Sequence, residues 1–120
     1  MKPHSAVFDT NILIDYLKGI TLESYAAPQA ISAITWMEVM VGAKRFGQAP
    51  QTRSFLSQFT LLPVNQAVSE RTVEVRQKWG IKLPDAIILA TAQTHSTPLI
   101  SRNLKDFNRV PGVVMPYSFT

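Results

Sequence analysis

A chain of 120 residues, 46% hydrophobic and 17% charged, has the length of one domain and enough apolar mass for its own core, which excludes an intrinsically disordered chain. The absence of cysteine excludes a disulfide scaffold and any thiolate-held zinc or iron–sulfur centre. Twelve Lys and Arg against eight Asp and Glu leave a net charge of +4, compatible with a polyanionic partner but not a demonstration of one.

Residues 1–120 read as a single domain without repeat, linker or low-complexity tract. Met1-Lys2-Pro3-His4-Ser5 leads into only three apolar residues before Asp9, too few for a signal peptide. No apolar run approaches the roughly 18 residues of a membrane span. The expected compartment is the cytosol, with no membrane partner.

In chain order, Ser5 to Phe8 reads as a short strand ending at Asp9. Asn11 to Lys18 follows as a helix, with Ile12, Leu13, Tyr16 and Leu17 at helical spacing and Gly19 as its stop. Ala30 to Ile34 is a second strand. Thr35 opens a helix through Trp36, Val39, Met40 and Ala43 that stops near Gly47. Pro50 to Phe59 is helical, and Leu61 to Val64 is a third strand that Pro63 assigns to an edge. Ala67 to Trp79 is a long amphipathic helix closed by Gly80. Pro84 starts a helix that is apolar nearly all round through Ala86, Ile87, Ile88, Leu89, Ala90 and Ala92, so it must be covered on several sides. Leu99-Ile100 is a fourth strand, Lys105 to Phe107 a single turn and Val113 to Met115 a fifth strand. Short strands alternating with helices predict a mainly parallel sheet with helices on both faces, a three-layer α/β/α architecture.

In such a sheet, ligands bind at the carboxyl ends of the strands. Asp9 follows the first strand, Glu38 lies one turn into the helix after the second, Asp85 is in the first turn of the buried helix, and Asp106 follows the fourth strand. Half of the eight acids thus fall at helix starts. Each has a plainer reading: Asp9, Thr10 or Asn11 as a helix cap, Thr35-Trp36-Met37-Glu38 as a capping box, Asp85 as a first-turn acid, and Asn103 to Asp106 as another cap.

Together the four carboxylates would repel one another unless protonated or neutralised by a cation. Hard oxygen donors select Mg²⁺ or Mn²⁺. His4 and His95 stand apart and read as structural or solvated. No phosphate-binding Gly-rich loop, Gly-x-Ser-x-Gly elbow or His-Glu-x-x-His is present, so no side chain offers itself as a nucleophile. With the four acids neutralised, twelve bases face four acids, a field that favours a phosphodiester substrate.

The blocks Val7-Phe8-Asp9-Thr10-Asn11-Ile12-Leu13-Ile14, Ile31 to Val39, Leu83 to Ala92 and Leu99 to Phe107, in this order and spacing, resemble the PIN-domain ribonucleases, specifically the small VapC-type toxins of bacterial toxin–antitoxin pairs. That resemblance implies a sheet of order 3-2-1-4-5 and an Mg²⁺- or Mn²⁺-dependent endoribonuclease acting on RNA. Asp9, Glu38, Asp85 and Asp106 match the family's acidic quartet, the first and third contacting metal most directly. Asn11 matches the residue supporting the first aspartate, and Ser101 stands where the family commonly has threonine. The resemblance also implies a homodimer held inactive by a VapB-type antitoxin whose C-terminal segment crosses the cleft.

The helix bearing Trp36, Met37, Val39, Met40 and Val41 is apolar over more than one face, suiting both the sheet and a partner. Arg71, Arg76, Lys78 and Lys82, interleaved with Glu70 and Glu74, read as a solvated, salt-bridged face rather than an RNA-facing stripe. Asp15, four residues beyond Asn11, reads either as a border of the site or, more plainly, as an exposed helix position. Two rival readings remain: a catalytically silent PIN-fold binding or regulatory protein, and a phosphoacceptor receiver domain. Val64-Asn65-Gln66 supplies no phosphoacceptor aspartate for the latter.

Overall fold

The computed structural model describes residues 6–19 and 29–116. In chain order it runs β1 (Val7–Phe8), α1 (Thr10–Leu17), β2 (Ala30–Ser32), α2 (Ala33–Arg45), α3 (Ala49–Leu56), β3 (Thr60–Leu62), α4 (Gln66–Trp79), α5 (Leu83–Thr94), β4 (Leu99–Ile100), α6 (Leu104–Phe107) and β5 (Val113–Val114). All strand pairs are parallel, in the expected order β3-β2-β1-β4-β5.

The hand of the crossovers explains where the helices lie. From β1 the chain steps outward through β2 to β3, then returns across the sheet to β4 and β5. Reversing the direction of travel at constant right-handedness moves the connection to the opposite face. Accordingly α1, α2 and α3 pack with Phe8, Ile31 and Ile100, while α4, α5 and α6 pack with Val7, Ala30 and Leu99. Adjacent strand residues thus alternate between two cores, and each core strand is buried on both sides. Phe8, Tyr16, Phe55 and Phe59 form an aromatic cluster in the first core, with ring centroids 5.4–6.5 Å apart. In the second, α5 buries Ile88 to Ala92 without interruption, as its all-round apolarity requires.

Helix starts moved where a neighbour made a better cap. Ser32, not Thr35, caps α2: its hydroxyl accepts from the Ile34 amide at 3.2 Å, and its backbone is extended. The helix therefore begins at Ala33, the predicted Thr35–Glu38 capping box does not form, and both of those side chains are free for tertiary contacts. Asn65 caps α4 by accepting from Val68 N at 3.0 Å, and Gly80 closes it at φ 66°, a conformation that favours glycine. The third strand ends at Leu62, so edge strand β3 leaves Pro63 just outside it; Met115 similarly lies beyond β5.

One expectation about charged residues is overturned, and a second holds in part: Glu70, Arg71, Glu74, Arg76, Lys78 and Lys82 are solvated as expected, but not salt-bridged among the described residues. Asp15 is 2% exposed rather than solvated, because it pairs with Arg102. Along α4, no ion pair joins Glu70 or Glu74 to the interleaved bases among the described residues. Arg76 donates instead to the Ile81 carbonyl at 2.9 Å, and Lys78 lies over the Trp79 ring at 5.3 Å. His4 lies outside the described residues.

Candidate active site

Strands β1 and β4 are neighbours whose onward connections leave toward opposite faces, which opens a crevice at their carboxyl ends. Asp9 and Ser101 are the residues immediately beyond them. The Asp9 amide donates to the Ile100 carbonyl and the Ser101 amide to the Val114 carbonyl, at 2.9 and 3.0 Å, so sheet hydrogen bonding sets both positions.

Asp9 is 3% exposed and surrounded by donors. Its Oδ1 accepts from the Thr10 amide at 2.7 Å, and its Oδ2 accepts from Ser101 Oγ at 2.7 Å and Asn11 Nδ2 at 3.3 Å. Burial pushes this carboxyl above its ordinary range, the charge of Glu38 adds to the rise, and the three donors oppose it. Capping α1 and belonging to the site are therefore one and the same position.

Glu38 reaches the site from α2. The Thr10 hydroxyl donates to its Oε1 at 2.7 Å and is also hydrogen-bonded to the buried Thr35 hydroxyl at 3.2 Å. Thr10 thus touches two acids, through its amide and its hydroxyl.

Asp85, in the first turn of α5, is pushed up to about 7 by burial, then by the hydrogen bond it shares with Asp106, then by the charges of Asp9, Asp106 and Glu38. Asp106 is held below its ordinary range by Asn103, then by Asp85, with Lys82 and Lys105 adding positive charge. The two carboxyls interact directly, and their protons come off as those of a pair. Asn103 joins them, its Nδ2 donating to Asp106 Oδ2 at 2.9 Å and to Asp85 Oδ2 at 3.5 Å. The Asn103 carbonyl oxygen of the side chain also caps α6 by accepting from the Asp106 amide.

The charges of Asp9, Glu38 and Asp106 therefore all bear on Asp85, yet the four acids are not stacked into one coordination sphere. Among the described residues no three acid or imidazole side chains group tightly enough to hold an ion as they stand. Each is turned onto a local donor: Ser101 and Asn11 for Asp9, Thr10 for Glu38, Asn103 for Asp106. The donor set nevertheless fits a hard divalent cation. It is all carboxylate oxygen, and although burial is the largest cause of the rise at Asp85, the charges of Asp9, Asp106 and Glu38 add to it, a repulsion that a cation would relieve.

Around the site, Arg102 donates through Nε to Asp15 Oδ2 at 2.6 Å and through Nη2 to Oδ1 at 3.2 Å, while its amide donates to Asn11 Oδ1 at 3.2 Å. His95 lies at the other end of α5 from Asp85, its Nε2 buried without a hydrogen-bond partner.

A PIN domain family model matches residues 6–113. The chain belongs to the PIN domain family. A chain of a toxin–antitoxin complex from Klebsiella pneumoniae is 54% identical to this PIN domain over 96% of its length and 100% of that chain, with a TM-score of 0.91. VapBC from Salmonella typhimurium, solved bound to DNA, is 22% identical over 91% of this chain and 94% of that one, with a TM-score of 0.78. VapBC2 from Rickettsia felis, solved with a promoter fragment, is 22% identical over 91% and 95%, with a TM-score of 0.71. These last two are likenesses of fold. No curated protein matches the chain.

In this PIN domain, sequence reasoning missed Thr10, Thr35 and Asn103 as members of the site, having read each as a cap. The signal was present in one case: Asn103 stands three residues before Asp106, a spacing that allows a side chain to cap the helix and touch the acid together. Thr10 and Thr35 carried no such signal, since their contact spans 25 positions.

Proposed function

We propose that this protein is a divalent-metal-dependent endoribonuclease and the toxin of a toxin–antitoxin pair. The observation that carries the proposal is the convergence of Asp9, Glu38 and Asp106 on Asp85 at the carboxyl edge of the sheet, where the charges of all three bear on that one carboxyl, in a chain of net positive charge. Asp9 and Asp85 would hold Mg²⁺ or Mn²⁺, with Glu38 and Asp106 orienting the attacking water or sharing a second ion. A cation bound there supplies charge neutralisation and Lewis acidity toward a phosphoryl oxygen.

The chain's own residues do the rest. Ser101 and Asn11 hold the Asp9 carboxylate in one orientation and favour its ionised form. Thr10 fixes Glu38 relative to Asp9, and Asn103 fixes Asp106 relative to Asp85. Lys82 and Lys105, beside Asp106, supply positive charge for a phosphate backbone.

The toxin reading is supported by the 54% identical chain found in a toxin–antitoxin complex. An apolar groove of about 320 Å³ between α1, α2 and the start of α3 runs past Glu38 and is lined by Ile14, Leu17, Val39 and Phe46. With Phe46 74% exposed, this groove is where we assign the antitoxin's inhibitory segment. The homodimer and a cytosolic location remain part of the proposal.

The test is cleavage of single-stranded RNA by the purified chain with Mg²⁺ or Mn²⁺, compared with Asp9→Asn. Loss of cleavage in the variant, and in the parent with chelator, is expected. Equal cleavage by both would overturn the assignment.

A further inference from the structure

We propose that the ion pair between buried Asp15 and half-buried Arg102 is a positioning clamp that holds the segment Ser101-Arg102-Asn103 against the acids, an assignment that rests on the nuclease reading above. Asp15 takes no part in the acid cluster, yet it is almost wholly buried in α1, and the Arg102 guanidinium meets it with two nitrogens. The Arg102 side chain keeps 31% of its surface exposed while Asp15 is buried, so the pair must offset the desolvation of a carboxylate with a partly screened attraction and is a poor device for stability alone. What it does supply is geometry. A guanidinium bound through two nitrogens fixes direction as well as distance.

The segment it holds carries both donors on which the aspartates depend. Ser101 reaches Asp9, and Asn103 reaches Asp106 and Asp85. The segment follows a strand of only two residues, Leu99–Ile100, and the Ser101 amide bonds the Val114 carbonyl of the neighbouring strand. Around Arg102, further bonds tie it to α1 and to itself: the Arg102 amide to Asn11 Oδ1, and the Asn103 amide to Ser101 Oγ. Asp9, Asn11 and Asp15 all belong to α1 or its cap, so the clamp registers α1 against the end of β4, the two elements between which the crevice opens.

The experiment compares the parent with Asp15→Asn, Arg102→Lys and the double variant. Asn keeps the shape of Asp15, and Lys keeps the charge of Arg102 but cannot make both contacts. The substrate is the fastest-cleaved member of a random-sequence single-stranded RNA pool, with Mg²⁺. We expect each single variant to lose at least tenfold in kcat with KM within twofold, and the double variant to be no slower than the slower single, because all break one link. Amide hydrogen exchange at Arg102 and Asn103 should quicken at least tenfold, while the α5 core amides keep their protection. An unchanged kcat, even with faster exchange, makes the pair a mere stabiliser and overturns the proposal. So does a change confined to KM, above all a lower KM in Asp15→Asn, which would assign the released Arg102 to RNA. A parent that cleaves no RNA sinks the nuclease reading instead, and the exchange rates then decide the clamp.

Discussion

Ser101 Oγ donates a 2.7 Å hydrogen bond to Asp9 Oδ2 across 92 positions of sequence, in a contact where both residues are buried. Strand pairing alone brings them together, because β1 and β4 end side by side and each residue follows its strand directly. The bond favours the ionised form of an acid that burial pushes toward its neutral form.

Ser101→Ala should therefore raise the Asp9 pKa further and move the acid limb of the pH–rate profile to higher pH. A hydrogen bond to a charged group is worth about 1.5–3 kcal/mol, so a loss of roughly tenfold or more in rate at neutral pH is expected. Ser101→Thr, which keeps the hydroxyl, should retain most of the activity. A pH profile of Ser101→Ala that superimposes on the parent's would contradict the role.

Stability should depend on pH in a direction opposite to that of ordinary salt-bridged acids. Asp85 sits at about 7 in the folded chain against an ordinary 3.8, so between those values the folded chain holds a proton that the unfolded chain has released. Its contribution is complete below about 4 and is lost as pH rises through 7; Asp9, also raised, acts the same way. Asp106, which is lowered, opposes them, contributing stability above its ordinary value that is lost on acidification. With EDTA present, Tm should fall between pH 5 and pH 8. Millimolar Mg²⁺ should restore it by on the order of 5 °C at the upper end, equivalent to about 1 kcal/mol of linkage in a domain of this size. Asp85→Asn should be as stable as the parent or more so without metal, and gain less from adding it. Calorimetry giving equal Mg²⁺ shifts in both proteins would rule out a shared site.

Thr10 holds Glu38 through its hydroxyl and Asp9 through its amide. Thr10→Val keeps the volume and the amide but removes the hydroxyl. A fall of about tenfold in kcat with little change in KM is expected, the equivalent of one ordinary hydrogen bond. Thr10→Ser should restore the rate to near the parent's. Steady-state kinetics on the three proteins decides the matter, and a Thr10→Val enzyme as fast as the parent would remove Thr10 from the site.

Phe46 is the most exposed large apolar side chain of the groove beside Glu38. Phe46→Asp should weaken antitoxin binding at least tenfold in a calorimetric titration, since it places a charge where an apolar contact is proposed. RNA cleavage by the free chain should be unaffected. Undiminished affinity would move the antitoxin elsewhere.

Much of the fold could be read locally. The nearly all-round apolarity of Ala86 to Ala92, broken only by Thr91, required a helix covered on several sides, and α5 is one. The four acids could be found because each stands at a strand end or helix start, where local signals are strong. The failures share one cause. Ser32 and Thr35 are both competent caps, and only the position of Thr10 in space shows why the second is used elsewhere. Asp15 looks like any polar helix residue until Arg102, 87 positions away, is placed against it.

Hydrophobic periodicity, caps and breakers act over a few residues, so the amino-acid order by itself determined the elements, their succession, the parallel sense of the sheet and which acids stand at its carboxyl edge. Tertiary structure alone decided which donor each acid meets, the contact that shifts Asp85 and Asp106 in opposite directions, and the burial of Asp15. Those depend on contacts between segments distant in the chain, and a carboxylate's charge, orientation and cost of burial are set by whatever the completed fold brings within hydrogen-bonding reach.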